Sequence, residues 1–156
     1  MQRELTIAAP FHGTAAAIGL VPDPVFSAQM VGPGLALVPH VSGGNHTVCA
    51  PVTGVIGALF PHAFAIETDQ GVGVLVHLGI DTVALNGQGF ELLVSSGQFV
   101  TEGQPLIIWN PEYVGAQGKS VICPIVLVQQ DAASLEMRVV PGQEVTQGQA
   151  LMTWRE

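Results

Sequence analysis

A chain of 156 residues can bury one hydrophobic core, and we expect a single domain over residues 1–156. Hydrophobic residues make up 48% of it, yet no apolar stretch reaches the about 20 residues that span a bilayer, and no signal-peptide pattern opens the chain. A formal net charge of −8 argues against nucleic acids and anionic membrane surfaces as partners. We therefore expect a cytoplasmic protein without membrane insertion.

Short β-branched runs separated by glycine and proline turns predict an all-β fold. The predicted strands are, in chain order, residues 35–41, 52–59, 64–68, 72–77, 106–109, 122–128 and 137–140. Helical turns are predicted only for residues 81–85 and 112–117. This spacing is typical of an antiparallel β-sandwich.

An internal repeat adds to this prediction. Residues 97–107 (GQFVTEGQPLI) recur as residues 142–152 (GQEVTQGQALM), with seven of eleven positions identical. A weaker echo relates residues 9–13 (APFHG) to residues 50–54 (APVTG). Both frames suit a turn followed by a strand, so the repeat predicts two similar halves packed face to face.

Two histidines stand at the ends of predicted strands. His77 ends an apolar run and is followed by Leu78 and Gly79, while His62 lies fifteen residues upstream. Imidazole is largely neutral and nucleophilic near pH 7, so this placement indicates histidine chemistry. The other three histidines, at positions 12, 40 and 46, lie in turn-like stretches, where we expect solvated side chains without a role.

Several segments together carry a family resemblance. In chain order they are residues 21–27 (VPDPVFS), 50–54 (APVTG), 62–64 (HAF), 77–83 (HLGIDTV), 87–90 (GQGF) and 97–100 (GQFV). Over roughly residues 8–154 the chain resembles the glucose-type enzyme IIA of the bacterial phosphoenolpyruvate-dependent sugar phosphotransferase system. The resemblance implies an antiparallel β-sandwich of the duplicated hybrid motif type, with a shallow apolar depression that holds both histidines.

The resemblance also implies a phosphotransferase component with a phosphohistidine intermediate. The phosphocarrier protein HPr would donate a phosphoryl group to His77, which would pass it to a cysteine on the IIB domain of a sugar permease. His62 would hydrogen-bond the phosphoryl group without being phosphorylated. The sugar would be glucose, N-acetylglucosamine or a related sugar. No cofactor is required and no intrinsic metal is expected, although His62 and His77 can share zinc with a carboxylate from a bound target.

A docking face for HPr follows from the same resemblance. Asp23 and Asp81 would meet cations on HPr, and the alternative for either is a capping or turn role. The expected apolar rim consists of Phe26, Met30, Val31 and Phe60, and ordinary core is the alternative for the first three. Backbone N–H groups in the turn at residues 79–82 are further candidate donors to the phosphoryl group.

The chain departs from the family pattern in two places. The segment before His62 lacks the usual threonine, because Phe60 and Pro61 stand directly before the histidine. The family's Gly-Asp-Gly is Gly32-Pro33-Gly34 here, which removes an acidic residue near the docking face. Neither departure changes the two histidines, so we expect any difference from the family to lie in the details of partner recognition.

Two alternative functions remain at this point. One is a zinc peptidase of related fold, although the His-x-His pair of that pattern is absent from the sequence. The other is regulatory binding by the unphosphorylated form, which in the family inhibits sugar permeases and glycerol kinase. Met1 and the ending Trp154-Arg155-Glu156 favour a free polypeptide over a piece of a fused permease.

Overall fold

The structure is a computed structural model that describes residues 3–156, so the first two residues of the predicted domain lie outside the described part. Fourteen strands and two short α-helices make up most of the regular structure. The strands are β1 (Glu4–Ala8), β2 (Gly13–Ala17), β3 (Gly34–Pro39), β4 (His46–Cys49), β5 (Gly54–Phe60), β6 (Ala63–Glu67), β7 (Gly73–His77), β8 (Phe90–Leu92), β9 (Phe99–Val100), β10 (Pro105–Trp109), β11 (Cys123–Leu127), β12 (Leu135–Met137), β13 (Glu144–Val145) and β14 (Ala150–Arg155). The helices are α1 (Pro24–Ser27) and α2 (Pro111–Ala116), with 3-10 turns at Ile18–Leu20, Thr82–Leu85 and Ala132–Ser134.

The strands form one large sheet and two small ones. The eight-stranded sheet has the order β13-β2-β3-β11-β7-β6-β5-β9, and the three-stranded sheets have the orders β1-β14-β12 and β4-β10-β8. Every pairing is antiparallel. The predicted antiparallel all-β architecture is therefore confirmed.

The sequence repeat corresponds to a structural duplication. Its first copy provides β9 at one edge of the large sheet and β10 at the centre of one small sheet. Its second copy provides β13 at the opposite edge and β14 at the centre of the other small sheet. Each half thus contributes the same pair of elements to the sandwich.

The large sheet is covered on both faces near its centre. Its inner face carries the main core, which contains Leu35, Leu37, Ile125 and Leu127. Ala36 and Val126 alternate with these residues and belong to a second cluster on the outer face. That second cluster also contains Ile18, Val21, Phe26 and Ile80. His77 follows the inward Val76, so its side chain belongs to the outer face.

Most predicted elements appear with shifted ends. The predicted strand 137–140 is wrong in position, because β12 ends at Met137 and the following residues lead into the turn at Gly142. The two predicted helical turns become the 3-10 turn Thr82–Leu85 and helix α2. Within residues 3–156, no helix has the length and apolarity needed to cross a membrane.

Candidate functional site

The pairing of β6 with β7 brings the two histidines together. His77 is the last residue of β7 and pairs with Ala63, the first residue of β6. The Leu78 N–H donates to the His62 carbonyl at 2.7 Å, which fixes the two segments against each other. The rings lie with their centroids 5.1 Å apart and their planes 69° apart. The predicted histidine pair is therefore a real neighbour pair.

One nitrogen of His77 is committed to the backbone. Its Nδ1 lies 2.6 Å from the carbonyl oxygen of Gly79. A carbonyl oxygen only accepts hydrogen bonds, so Nδ1 must carry the proton. In the neutral ring, Nε2 then holds the free lone pair. The turn thus selects the tautomer in which Nε2 has the free lone pair and can act as a nucleophile.

Gly79 is required for this turn. Its φ is +77°, a region that favours glycine. A Cβ at this position would lie 2.7 Å from the Ser120 carbonyl oxygen and 2.8 Å from Cγ2 of Thr82. The buried Thr82 hydroxyl donates to the Leu78 carbonyl at 2.8 Å and closes the same turn. The carbonyl that orients His77 is therefore held by a tightly packed segment.

Both histidines are poised in the neutral form. Burial lowers the pKa of His77 below its ordinary value, although the Gly79 hydrogen bond and the carboxylates of Asp23 and Asp81 act in the opposite direction. Burial, and then the neighbouring His77, lowers the pKa of His62. Neutral imidazole is the form that has a lone pair to offer an electrophile.

These lowered pKa values predict how stability depends on pH. Below the ordinary histidine pKa of about 6.5, the unfolded chain takes up protons that the folded His62 and His77 resist. The free energy of unfolding should therefore fall as pH falls from about 6.5 to the folded pKa values. In the double variant His62→Gln, His77→Gln, the free energy of unfolding should lack the part of this fall that the two histidines cause. Urea unfolding at pH 7.5 and pH 5.5 measures it.

A histidine remote from the pair provides the control for this measurement. His46 sits at the start of β4, with its Nε2 2.9 Å from the Ser42 carbonyl. His46→Gln should leave the decline due to the pair in place. If the double variant declines as steeply as the wild type, the two histidines are not the groups responsible.

A shallow pocket surrounds the pair. It is lined by Asp23, Phe60, His62, His77, Asp81 and Val83. Five of these six were predicted from the sequence as site residues. No lysine or arginine of the described chain lines this pocket. The pocket therefore combines two neutral imidazoles with acidic and apolar surroundings.

Phe26 does not belong to the exposed rim. Only 6% of its surface is exposed, and it packs in the outer-face cluster. Its ring centroid lies 5.3 Å from that of His77, so the Phe26 ring packs against the histidine ring from the interior side. This low exposure agrees with the core alternative, because the short helix α1 turns the Phe26 side chain towards the sheet, and its direct contact with a partner stays a prediction.

The other residues predicted for the apolar rim differ in their exposure and in whether they line the pocket. Phe60 is 54% exposed, lines the pocket and lies beside His62 with ring centroids 5.8 Å apart. Met30 is exposed but does not line the pocket. Val31 is half-buried and packs against the outer-face cluster. Val83, 65% exposed in the pocket, was missed, although it ends the 77–83 motif.

The two aspartates differ in their local roles. Asp23 caps α1, because its carboxylate accepts from the Val25 N–H at 2.9 Å. The capping alternative is correct for Asp23, which nevertheless also lines the pocket. Asp81 has a φ of +60° and makes no capping hydrogen bond, although it precedes the turn Thr82–Leu85. Its exposed carboxylate is available to a partner.

Some candidate donors near the pair are already used. The Leu78 amide donates to His62, and the Ile80 amide donates to the Ser120 carbonyl at 3.0 Å. The expectation that the whole turn offers free N–H groups is therefore wrong for Ile80. Within the described chain no side chain hydrogen-bonds the His62 ring, so no hydroxyl replaces the missing threonine.

The pocket does not complete a metal site from its own residues. The two imidazoles offer two nitrogen ligands, and among residues 3–156 no third ligand side chain lies close enough to join them. The cysteines are also unsuitable as ligands or nucleophiles. Cys49 and Cys123 are unbonded and buried, and burial raises the pKa of both thiols.

Known proteins resemble this chain over most of its length. Residues 5–133 match the family described as "phosphoenolpyruvate-dependent sugar phosphotransferase system, EIIA 1". The chain is 41% identical over 136 residues to the glucose-specific EIIA component of the phosphotransferase system from Staphylococcus aureus (strain COL), covering 86% of this chain and 80% of that protein. The corresponding Staphylococcus epidermidis component is 38% identical over 133 residues, which cover 84% and 78%.

Two solved structures are also similar. Glucose permease IIA from Mycoplasma capricolum superimposes with a TM-score of 0.85 at 35% identity, covering 97% of this chain and 96% of that one. The M23 metalloprotease pseudoalterin superimposes with a TM-score of 0.51 at 16% identity, covering 91% and 75%. The second likeness concerns the fold alone and gives no support to the peptidase alternative.

Proposed function

Because the chain belongs to the EIIA 1 family of the phosphoenolpyruvate-dependent sugar phosphotransferase system and is a phosphocarrier of that system, we propose that Nε2 of His77 carries the phosphoryl group. The observation behind this proposal is the 2.6 Å contact of Nδ1 with the Gly79 carbonyl. It keeps the proton on Nδ1 and leaves the Nε2 lone pair for the phosphorus.

The transfer step is a displacement at phosphorus. The lone pair of His77 Nε2 forms the new N–P bond as the N–P bond of the donor phosphohistidine breaks and its imidazole leaves. The proton on Nδ1 stays where it is, hydrogen-bonded to the Gly79 carbonyl. Donor and acceptor are both imidazoles, so the step is close to balanced and runs in either direction. The same atoms then deliver the phosphoryl group to the next carrier.

His62 is proposed to stabilise the phosphoryl group without accepting it. Its ring lies beside that of His77 and makes no hydrogen bond within residues 3–156. An N–H of the His62 ring can therefore turn to an equatorial phosphoryl oxygen, where charge develops in the transition state.

HPr and the IIB domain of a sugar permease are the partners that the family implies, and the pocket rim is the proposed docking face. Phe60 and Val83 are exposed beside the histidines, with Asp23 and Asp81 around them. Three of the four basic residues, Arg3, Arg138 and Arg155, pair with carboxylates of this chain instead. A basic partner face therefore fits this pocket.

Charge and apolar contacts at this face should respond differently to salt. Asp81→Asn should slow phosphoryl uptake from HPr about three- to tenfold at low ionic strength and much less at 0.5 M salt, because salt screens exposed charges. Phe60→Ala should slow uptake at both ionic strengths, since it removes apolar contact area. A time course of label uptake in quenched samples, taken at both salt concentrations, measures these rates.

Asp69→Asn provides the matched control for charge, because Asp69 is exposed and lies outside the pocket. It should transfer at the wild-type rate at either ionic strength. If Asp81→Asn and Phe60→Ala show the same salt dependence, this docking face is incorrect.

The proposal also covers the sugar, the domain and the cellular compartment. The glucose-specific names of the relatives support glucose as the sugar. Residues 1–156 are proposed to act as one domain in the cytoplasm, where phosphoenolpyruvate is available.

Phosphorylation would add about two negative charges beside the exposed Phe60 and Val83. Regulated permeases or kinases would then bind the unphosphorylated form, and any zinc at the histidine pair would need a carboxylate from such a partner.

Reconstitution tests the proposed carrier function. The chain is incubated with phosphoenolpyruvate carrying labelled phosphate, enzyme I and HPr, and then with the IIB domain of a glucose permease. We expect one phosphoryl group per chain, dependent on HPr and discharged by the IIB domain. Labelling without HPr, or a label that the IIB domain cannot remove, would contradict the proposal.

A further inference from the structure

A second group of ligand side chains lies at the edge of the large sheet. His12 directly precedes β2, His40 directly follows β3 and Glu144 opens β13. In the sheet register Gly13 pairs with Pro39, and Thr14 pairs with Glu144. The three residues therefore lie in or directly beside three neighbouring strands, β13, β2 and β3. None of them lines the histidine pocket.

The distances within this group suit a small metal ion. His40 Nε2 lies 3.1 Å from Glu144 Oε1, and His12 Nε2 lies 3.6 Å from Glu144 Oε2. The two rings have centroids 4.7 Å apart, and one ligand atom from each residue lies within 4.8 Å of the others. Ligands around tetrahedral zinc, with bonds of about 2.0–2.1 Å, are about 3.3 Å apart. The two nitrogen–oxygen distances, each to a different oxygen of the carboxylate, lie on either side of that separation.

We propose that His12, His40 and Glu144 form a binding site for a divalent transition-metal ion, with Zn²⁺ as its representative. Two imidazoles and one carboxylate supply three ligands, and a water molecule would supply the fourth. Imidazole ligands favour Zn²⁺, Cu²⁺ and Ni²⁺ over Mg²⁺ and Ca²⁺. All three side chains are exposed, so the ion can enter from solvent.

The carboxylate of this site has a supporting contact. The Thr14 hydroxyl donates to Glu144 Oε1 at 3.3 Å. Hydrogen bonds to ligand carboxylates orient them for metal binding. No arginine or lysine pairs with Glu144 in the described chain, so the histidines are its charged or chargeable neighbours. The carboxylate is therefore free of competition from a fixed cation.

The internal repeat shows that the fold does not demand these residues. The two copies share Gly-Gln-x-Val-Thr, but the third position is Phe99 in one copy and Glu144 in the other. The weaker echo places Thr53 where the other copy has His12. Equivalent turns thus form without a carboxylate or an imidazole. The ligand set belongs to one half only, and turn geometry does not account for it.

Metal binding would also attach an edge strand more firmly. Strand β13 is two residues long and pairs only with β2 within residues 3–156. A metal ion held by Glu144, His12 and His40 would connect it to both β2 and β3. Because the ion binds the folded state, it should raise the melting temperature by about 5–10 °C at a concentration 100 times its dissociation constant.

Calorimetric titration with ZnCl₂ tests the site. The full chain is used in a His62→Gln, His77→Gln background, which removes the other imidazole pair. We expect one Zn²⁺ per chain, not displaced by millimolar Mg²⁺. His12→Ala, His40→Ala and Glu144→Gln should each weaken binding by at least about 10- to 100-fold and abolish the zinc-dependent rise in melting temperature. Circular dichroism should show that the variants remain folded, since the positions are exposed.

His46→Ala is the matched control, because it removes a histidine outside the cluster. It should bind Zn²⁺ with the parental affinity and stoichiometry. Saturable zinc binding that survives the combined His12→Ala, His40→Ala change would overturn the proposal. The absence of saturable binding in the parent protein would also overturn it. Neither outcome depends on phosphoryl transfer, so the carrier function is tested separately.

Discussion

Replacement of His77 by alanine is expected to reduce phosphoryl uptake from phosphoenolpyruvate, enzyme I and HPr to background. The change removes Nε2, the atom proposed to form the N–P bond, and no other residue in the pocket except His62 offers an imidazole nitrogen. Incorporation of labelled phosphate measures uptake. The fold should survive, because the backbone hydrogen bond from Leu78 to His62 and the strand pairing with Ala63 do not use the ring.

His46→Ala provides the control for this experiment and should be labelled like the wild type. It removes an imidazole that lies at the start of β4 and outside the pocket. Labelling of the His77→Ala protein to the wild-type level would show that another residue is the acceptor. The assignment of roles within the histidine pair would then be wrong.

Replacement of His62 by alanine should separate uptake from onward transfer. We expect uptake to remain within about tenfold of the wild type, because the proposed nucleophile, His77, and its Gly79 contact are intact. Transfer to the IIB domain should fall about 100- to 1,000-fold, since one preorganised donor to the phosphoryl oxygens is lost. A time course of the label that reaches the IIB domain, measured in quenched samples, gives this rate.

His62→Gln is the informative companion variant, because its amide N–H can also donate a hydrogen bond. It should recover part of the lost transfer rate. If His62→Ala is as deficient in uptake as His77→Ala, the two rings act together in accepting the phosphoryl group. If it passes the group onward at the wild-type rate, His62 has no part in stabilising it.

The sequence was most informative for features whose residues lie close together in the chain. The motif at residues 77–83 contains both the proposed nucleophile and the glycine whose carbonyl orients its ring, so one short segment carries the proposed chemistry. The repeat at residues 97–107 and 142–152 likewise predicted the duplication, because each copy forms the same turn and strand. These features depend on contacts between residues close together in the chain.

Features that depend on distant pairings were harder to predict. The family resemblance implies a rim position for Phe26, but α1 packs this side chain against His77 and the outer face. Val83 looks like an ordinary apolar residue, yet the 3-10 turn leaves it exposed beside the histidines. Burial in both cases is decided by how the outer face is covered, which a local pattern does not report.

The edge strands show the same limit. Strands β9 and β13 have two residues each, too short for an alternating pattern, and β2 (GTAAA) contains Thr14 as its one β-branched residue. His12 and His40 appear separately in turns. The pairing of β2 with β3 brings them together, and the pairing of β13 with β2 brings Glu144 beside them. The proposed metal site was therefore invisible before the register was known.

The central claim is that the phosphoryl group is carried on Nε2 of His77. Nuclear magnetic resonance of the phosphorylated protein, with ¹⁵N in its histidine rings, identifies the bonded nitrogen through its coupling to phosphorus. The 2.6 Å contact of Nδ1 with the Gly79 carbonyl predicts coupling to Nε2 of His77 and a retained proton on Nδ1. Coupling to Nδ1 of His77, or to either nitrogen of His62, would contradict the account.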